Sequence, residues 1–438
     1  MDQGDRRRVA WTLYEWAQQP YWALIATFIF TPYFAAGFVG DPVRGQSLLG
    51  FAGVISGLLI AVLSPLVGAS IDAHRRPRAW LIGLAIPFVI ASAGLWLAAP
   101  GETSRIPLIL ACLVVAGVVA ELGVTVMNAL LPAVAKPGQL GRLSGTAWAL
   151  AYVGALITLF IVLFCFSLPE VPMLGLSKAL HEPDRIVGPL VAVWFLAFAW
   201  PLMLTAPKPA AGSGEKPLKE LWETIRSLRS KPHMLTFLIG RMLLGDGISS
   251  FIAFGGVLAA GLFGWTTTQL GLYAIALSVA AGIGTYIGGR VDQKVGSKKT
   301  VLLATGVILF GATGVGLVGR DTIFFLITVE PAQAGALFAS TPERMFLFFS
   351  LFVGLTFGPA QSSLRAWMAE LAPPGETGRW FGLYALSGKA TAFLAPLVIA
   401  IGTRLAGDQR IAVVVSAAFM ALGAVVLARA PSRAPVVG

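Results

Sequence analysis

Twelve stretches of this chain stay apolar for about the 20 residues that a membrane crossing needs. They fall at 20–39, 47–71, 79–99, 106–131, 143–167, 187–206, 234–262, 268–289, 300–319, 343–369, 380–402 and 411–428. None shows the period-two alternation of a half-buried strand, and an open sheet cannot satisfy its backbone in hydrocarbon, so helices are expected. One interruption is longer than the others. Residues 207–232 open with Pro-Lys-Pro-Ala-Ala-Gly-Ser-Gly-Glu-Lys-Pro and divide the pattern six and six. This predicts an N-terminal six-helix half over 1–206, a cytoplasmic linker at 207–232 and a C-terminal six-helix half over 233–438. Inside the linker, Leu218 to Leu228 interleaves charged and apolar residues and predicts a short amphipathic helix on the membrane surface. Arg6, Arg7 and Arg8 precede a run of spanning length without a small-residue cleavage site, which reads as a first span and not as a cleaved signal.

Composition narrows the class. Hydrophobic residues make up 56% of the 438 and charged residues 12%, too little polar surface for an ordinary soluble enzyme and too much apolar content for disorder. Two cysteines, Cys112 and Cys165, cannot build a disulfide scaffold. A net charge of +11 would suggest nucleic acid in a soluble protein. Sorted by loop, however, 21 of the 32 basic residues lie at the termini and on even-numbered loops, 8 on odd-numbered loops and 3 within spans. That asymmetry predicts both termini in the cytoplasm and leaves no basic patch for nucleic acid. Trp11 and Trp80, near span ends, read as interfacial anchors.

The two halves carry the same punctuation. Gly68-Ala-Ser-Ile-Asp72-Ala-His-Arg75-Arg76 follows the second span, and Gly288-Gly-Arg-Val-Asp292-Gln-Lys-Val-Gly-Ser-Lys298-Lys299 follows the eighth, the two aspartates 220 residues apart. Pro137-Gly138-Gln-Leu-Gly141-Arg142-Leu-Ser-Gly145 precedes the fifth span and Pro374-Gly375-Glu-Thr-Gly378-Arg379-Trp-Phe-Gly382 the eleventh, 237 residues apart. Such internal repeats are typical of transporters. An aspartate at a helix end can pair with a nearby Arg or Lys, or with a neighbouring helix end, and so lock one state of a moving bundle.

The Gly-x-x-x-Asp-then-basic loops resemble the signature loop of the major facilitator superfamily. Within it, the chain is similar to the vacuole-effluxer-like branch, on Tyr14-Glu15-Trp16-Ala17, Asn128-Ala129-Leu130-Leu131-Pro132, Ser144-Gly145, Asp246-Gly247, Gln361, Arg365 and Phe381-Gly382-Leu383-Tyr384. It departs from that branch at Glu15 and Gln18 (usually Asp and Asn), at Val126 and Met127 (usually aromatic) and at Leu364 (usually Ser). The resemblance implies an all-α membrane protein of twelve transmembrane helices in two halves, with spans one, four, seven and ten around a central cavity. It implies a secondary active transporter, acting as a monomer in the cell membrane of a bacterium. Amino-acid efflux by alternating access, with or without a coupling proton, is the activity it suggests. The partners are then a small-molecule substrate and the lipid bilayer, with no cofactor.

Five charged residues fall inside predicted spans: Glu121, Arg241, Asp246, Arg365 and Lys389. Each costs about 2.5–3.5 kcal/mol at mid-helix, so paired or water-lined positions are expected. Arg241 and Asp246 are five residues apart, about 140° around a helix, and should find partners on other helices. With Asn128 and Gln361 these five are the expected substrate or proton pathway. Arg365 or Lys389 would hold an anionic group, and Asp246 or Glu121 a cationic group or a proton. Glu15, at the start of span one, and Asp72, Arg75, Arg76, Asp292, Lys298 and Lys299 in the repeated loops are the expected gating residues.

Other motifs point away from chemistry. Gly314-Val-Gly316-Leu-Val-Gly319 matches a dinucleotide fingerprint by letter but follows no strand, and Gly284-Thr-Tyr-Ile-Gly288 suits close helix approach. His74, His181 and His233 lie far apart, no His pair has metal-ligand spacing, and no nucleotide-binding loop is present. An intramembrane enzyme or an ATP-driven pump is therefore not expected. The same pattern also suits a transporter-like sensor that binds without moving its ligand.

Overall fold

The computed structural model describes residues 2–207, 216–265, 267–324, 326–329, 337–392 and 394–433. Among them, eleven helices are long and apolar enough to cross a membrane. Six precede the linker: α1 (Gln3–Phe38), α2 (Pro42–His74), α3 (Pro77–Leu97), α4 (Thr103–Val134), α5 (Leu140–Ser167) and α6 (Glu182–Thr205). The linker contributes α7 (Pro217–Ser227), the amphipathic helix expected there, while its residues 208–215 lie outside the described residues. Then follow α8 (Pro232–Phe263), α9 (Thr267–Val295), α10 (Ser297–Gly316) and α11 (Thr341–Leu371). Beyond them are α12 (Thr377–Ser387), α13 (Leu394–Ala406) and α14 (Ile411–Arg429).

The eleventh predicted span, 380–402, is not one helix. It is α12 and α13, joined by a turn that begins at Gly388. Helices of 11 and 13 residues are each too short for a core of about 30 Å and reach that length only in series. Eleven long helices thus stand where twelve were expected, and the difference lies in this broken pair. The guanidinium of Arg241 fills the space where a side chain at Gly388 would stand. The loop after α10 also departs from an all-α reading. It holds a two-residue antiparallel pair, β1 (Thr322–Ile323) with β2 (Ile327–Thr328), outside the apolar spans.

The first helix begins earlier than its apolar window. Asp2 caps it by accepting from the Asp5 amide at 2.5 Å, so Arg6–Arg8 form its first turns. Glu15 is therefore well inside α1 and not at its start, because polar turns extend the helix beyond the apolar run. Trp11, expected as an interfacial anchor, is fully buried and donates from Nε1 to the Met127 carbonyl at 2.8 Å.

Two compact units emerge. One comprises Met1–Lys136, Leu150–Thr224 and Ala372–Leu386, the other Pro137–Ala149, Ile225–Leu371 and Ser387–Gly438. Aromatic packing knits the first: Trp16 stacks on Trp194 with ring centroids 5.7 Å apart, and Phe88 meets Phe195 at 4.6 Å. Small residues knit the second. Gly284 and Gly288 of α9 face the Leu355 backbone and the Pro359 ring of α11, so the small-xxx-small pattern serves packing. Gly314 of the fingerprint-like run lies against the Phe349 ring, again a packing role. On α2, Phe51, Val54, Ile55, Leu58 and Val62 form an exposed apolar stripe, as lipid contact requires.

Candidate functional site

The predicted pathway residues divide between the two units, Glu121 and Asn128 in the first and Arg241, Asp246, Gln361, Arg365 and Lys389 in the second. In the second unit, α8 carries Asp246 about 21 Å along a helix of about 48 Å, close to its midpoint. Its carboxylate is 5% exposed and accepts from the Thr391 hydroxyl at 2.7 Å. Arg241, about one and a half turns earlier, donates from Nη1 to the Ser387 hydroxyl at 3.3 Å. Both α8 charges therefore meet the same segment, the break between α12 and α13. Although they face different directions around α8, Arg241 still acts electrostatically on Asp246. Lys389, expected mid-helix, lies in the turn itself, half-buried. Three charged groups, two hydroxyls and an interrupted backbone thus share one stretch beside the middle of α8. Within a membrane, irregular backbone is tolerated where it is buried in protein or lines a cavity.

Arg365 is placed elsewhere. It is 3% exposed; its Nε donates to the Ser144 hydroxyl at 2.9 Å, its Nη2 to the Ser144 carbonyl at 3.2 Å, and its guanidinium lies 5.9 Å from the Trp148 ring centroid. Ser144 in turn donates to the Ser362 carbonyl at 2.7 Å. That geometry fastens α11 to the start of α5 and leaves little of the guanidinium for a solute. Gln361, one turn earlier on α11, is half-buried.

In the first unit, Glu121 sits at the middle of α4 and interacts electrostatically with Tyr21 of α1. Beside it, Gln18 Nε2 donates to the Ala120 carbonyl, and the Tyr14 hydroxyl occupies the space next to Gly123. Asn128 is buried two turns further on. Glu15, three residues before Gln18 on α1, is half-buried.

The repeated loops meet the repeated turns crosswise. Asp72, 3% exposed at the end of α2, accepts from the Gly378 amide at 2.9 Å and the Arg379 amide at 2.8 Å. These are first-turn amides of α12, where unpaired N–H groups and the helix dipole favour a carboxylate. The Arg379 side chain is 4.0 Å from Asp72 and closer, 3.1 Å, to Glu376. Asp292 likewise abuts Gly141 of the other turn, but it accepts from its own loop, from the Ser297 hydroxyl at 3.0 Å. A side chain at Gly378 or Gly141 would collide with the aspartate it faces. Gly138 and Gly375 repeat the same positive φ, 71° and 82°, at the preceding turn.

The basic residues of the repeated loops occupy different positions. Arg75 closes α2 with a left-handed φ of 55°, and Arg76 is exposed beside it. Lys298 donates to the Ala428 and Ala430 carbonyls at 2.8 and 2.6 Å, capping the end of α14, and Lys299 is exposed. Ser387 and Thr391 are not among the site residues expected from sequence, and Ser144 enters there only through the family resemblance. The available signal was slight: hydroxyls four residues apart in an apolar run, and a serine before a glycine.

Among the described residues, eleven long apolar helices, a broken apolar segment and paired loop motifs define a polytopic helical membrane protein of the major facilitator fold. The fold matches that of the proton:xylose symporter XylE bound to 6-bromo-6-deoxy-D-glucose, with a TM-score of 0.72 at 15% identity over 96% of this chain and 94% of that one. Residues 136–433 match the model of the family described as vacuole effluxer Atg22 like, and the chain belongs to that family. It is 25% identical over 290 residues to Autophagy-related protein 22 of Cryptococcus neoformans var. neoformans serotype D, covering 64% of this chain and 49% of that protein. The chain thus spans about half the length of this fungal relative. Over 433 residues it is 22% identical to the uncharacterized MFS-type transporter YxiO of Bacillus subtilis, covering 97% and 94%.

Proposed function

We propose that this protein is a secondary active transporter that exports a small zwitterionic solute, an amino acid or related metabolite, by alternating access with proton coupling. The observation that carries this reading is the meeting of Asp246 and Arg241, near the middle of α8, with the α12–α13 break. A carboxylate and a guanidinium held there, each costly in hydrocarbon, match the ammonium and carboxylate of an amino acid. Lys389 joins Arg241 as the anion-holding group, a role the Ser144 contacts make unsuitable for Arg365. Asp246 also serves as the proton carrier, and membership of an effluxer family supports export. The Asp72 and Asp292 contacts form in one state of the cycle and release in the other. In this reading α12 and α13 together make a twelfth crossing, in a monomer of the bacterial cell membrane with both termini in the cytoplasm.

Counterflow of labelled amino acids into proteoliposomes tests the proposal. The unaltered protein should show saturable uptake, and Asp246→Asn and Arg241→Gln should each lower its initial rate about tenfold or more. Saturable binding without flux would identify a sensor instead. Flux driven by a pH gradient that survives Asp246→Asn unchanged would remove the proton role.

A further inference from the structure

Five arginines from distant parts of the sequence converge on one concavity of about 960 Å³ in the first unit. Arg6 and Arg7 come from the first turns of α1, Arg75 and Arg76 from the α2–α3 turn, and Arg78 from the first turn of α3. The end of α6, Leu204 to Pro207, closes the third side. Among the described residues, its lining contains no acidic residue. Among the described residues Arg6, Arg7, Arg76 and Arg78 make no ion pair, whereas the neighbouring Arg8 pairs with Asp5. Setting orientation needs only that basic residues lie on one side of the membrane; it does not require them to face a shared hollow.

We propose that this pocket binds the phosphate headgroup of an anionic phospholipid. Like charges such as Arg6, Arg7, Arg76 and Arg78 gathered around one hollow repel one another, so a bound anion relieves the site, and the guanidinium fork matches phosphate oxygens. The lining also decides between a lipid and a free phosphate. Ile82 of α3 and Leu204 of α6 are exposed apolar side chains at the pocket wall, where acyl chains would run beside the helices. A soluble anion would gain nothing from them. The loop asymmetry assigns this end to the cytoplasmic side, where anionic headgroups meet juxtamembrane basic clusters.

Thermal unfolding of the full-length detergent-purified protein, titrated with phosphatidylglycerol, phosphatidylcholine or inorganic phosphate, tests the site. Phosphatidylglycerol should stabilise saturably, at about a tenfold lower concentration or better than phosphatidylcholine. The triple variant Arg6→Gln, Arg7→Gln, Arg78→Gln should lose that preference. The triple lysine variant at the same positions keeps the charge and should retain most of it, and Arg44→Gln, outside the pocket, should retain all of it. Equal stabilisation by the two lipids, or an undiminished preference in the glutamine variant, overturns the proposal. So does an equal shift with inorganic phosphate alone, which would assign the pocket to a soluble anion.

Discussion

Asp72 shows how much one buried carboxylate can organise when its partners are backbone amides. It lies in the last turn of α2, close in sequence to three arginines, yet it bonds Gly378 and Arg379 at the start of α12. Amide donors are fixed in direction by the helix, whereas an exposed arginine must give up side-chain freedom to pair. The glycine at 378 is what permits the approach, since a methyl group there would meet the Gly68 carbonyl and lie 2.7 Å from Asp72 Oδ1. Gly378→Ala should therefore destabilise the protein by about 1–3 kcal/mol, the range for overpacking a tight contact. Gly306→Ala, in open space on α10, should instead be neutral or stabilise by up to about 1 kcal/mol. Thermal unfolding of the two variants side by side checks this. At this scale the sequence identified the aspartates, the turns and their repeat. It did not pair them crosswise, because contacts over some 300 residues leave no periodic trace in the chain.

Among the elements, α7 and the α12–α13 pair show opposite sides of pattern reading. For α7 the alternation of charge and apolar residues was sufficient, since a helical period depends on local spacing alone. Its Leu218, Trp222 and Ile225 are exposed on one side, while Lys219 and Glu223 approach within 3.9 Å on another. A spin label at position 218 or 222 should report interfacial membrane depth, and one at 219 or 223 an aqueous environment. Relaxation by lipid-soluble oxygen against a water-soluble nickel chelate distinguishes the two, and equal exposure of all four to water would refute membrane contact. The α12–α13 break was not legible, because apolar composition continues through it. Side chains from α8, Arg241 and Asp246, meet the interrupted segment, and no local rule anticipates them. The early start of α1 was missed for a related reason: polar turns extend a helix beyond the apolar window without changing its hydrophobic signal.

For the whole molecule, the remaining question is how many times the chain crosses. With Cys112 and Cys165 replaced by alanine, single cysteines at Gly4, Lys216 and Arg379 should react with an impermeant maleimide only from the cytoplasmic side. Those at Arg44, Arg105 and Gly407 should react only from the outside. Labelling at 379 and 407 from the same side would mean that α12 and α13 do not cross together. Hydrophobicity and the sidedness of charge are sums over many residues, so the sequence alone determined membrane class, helical content, an expected orientation and the repeat. The tertiary structure decided which charges meet, which end is capped by which carboxylate, where a span breaks and which arginines share a hollow. Those outcomes depend on a few directional contacts between residues remote in the chain, and a linear pattern carries no record of direction.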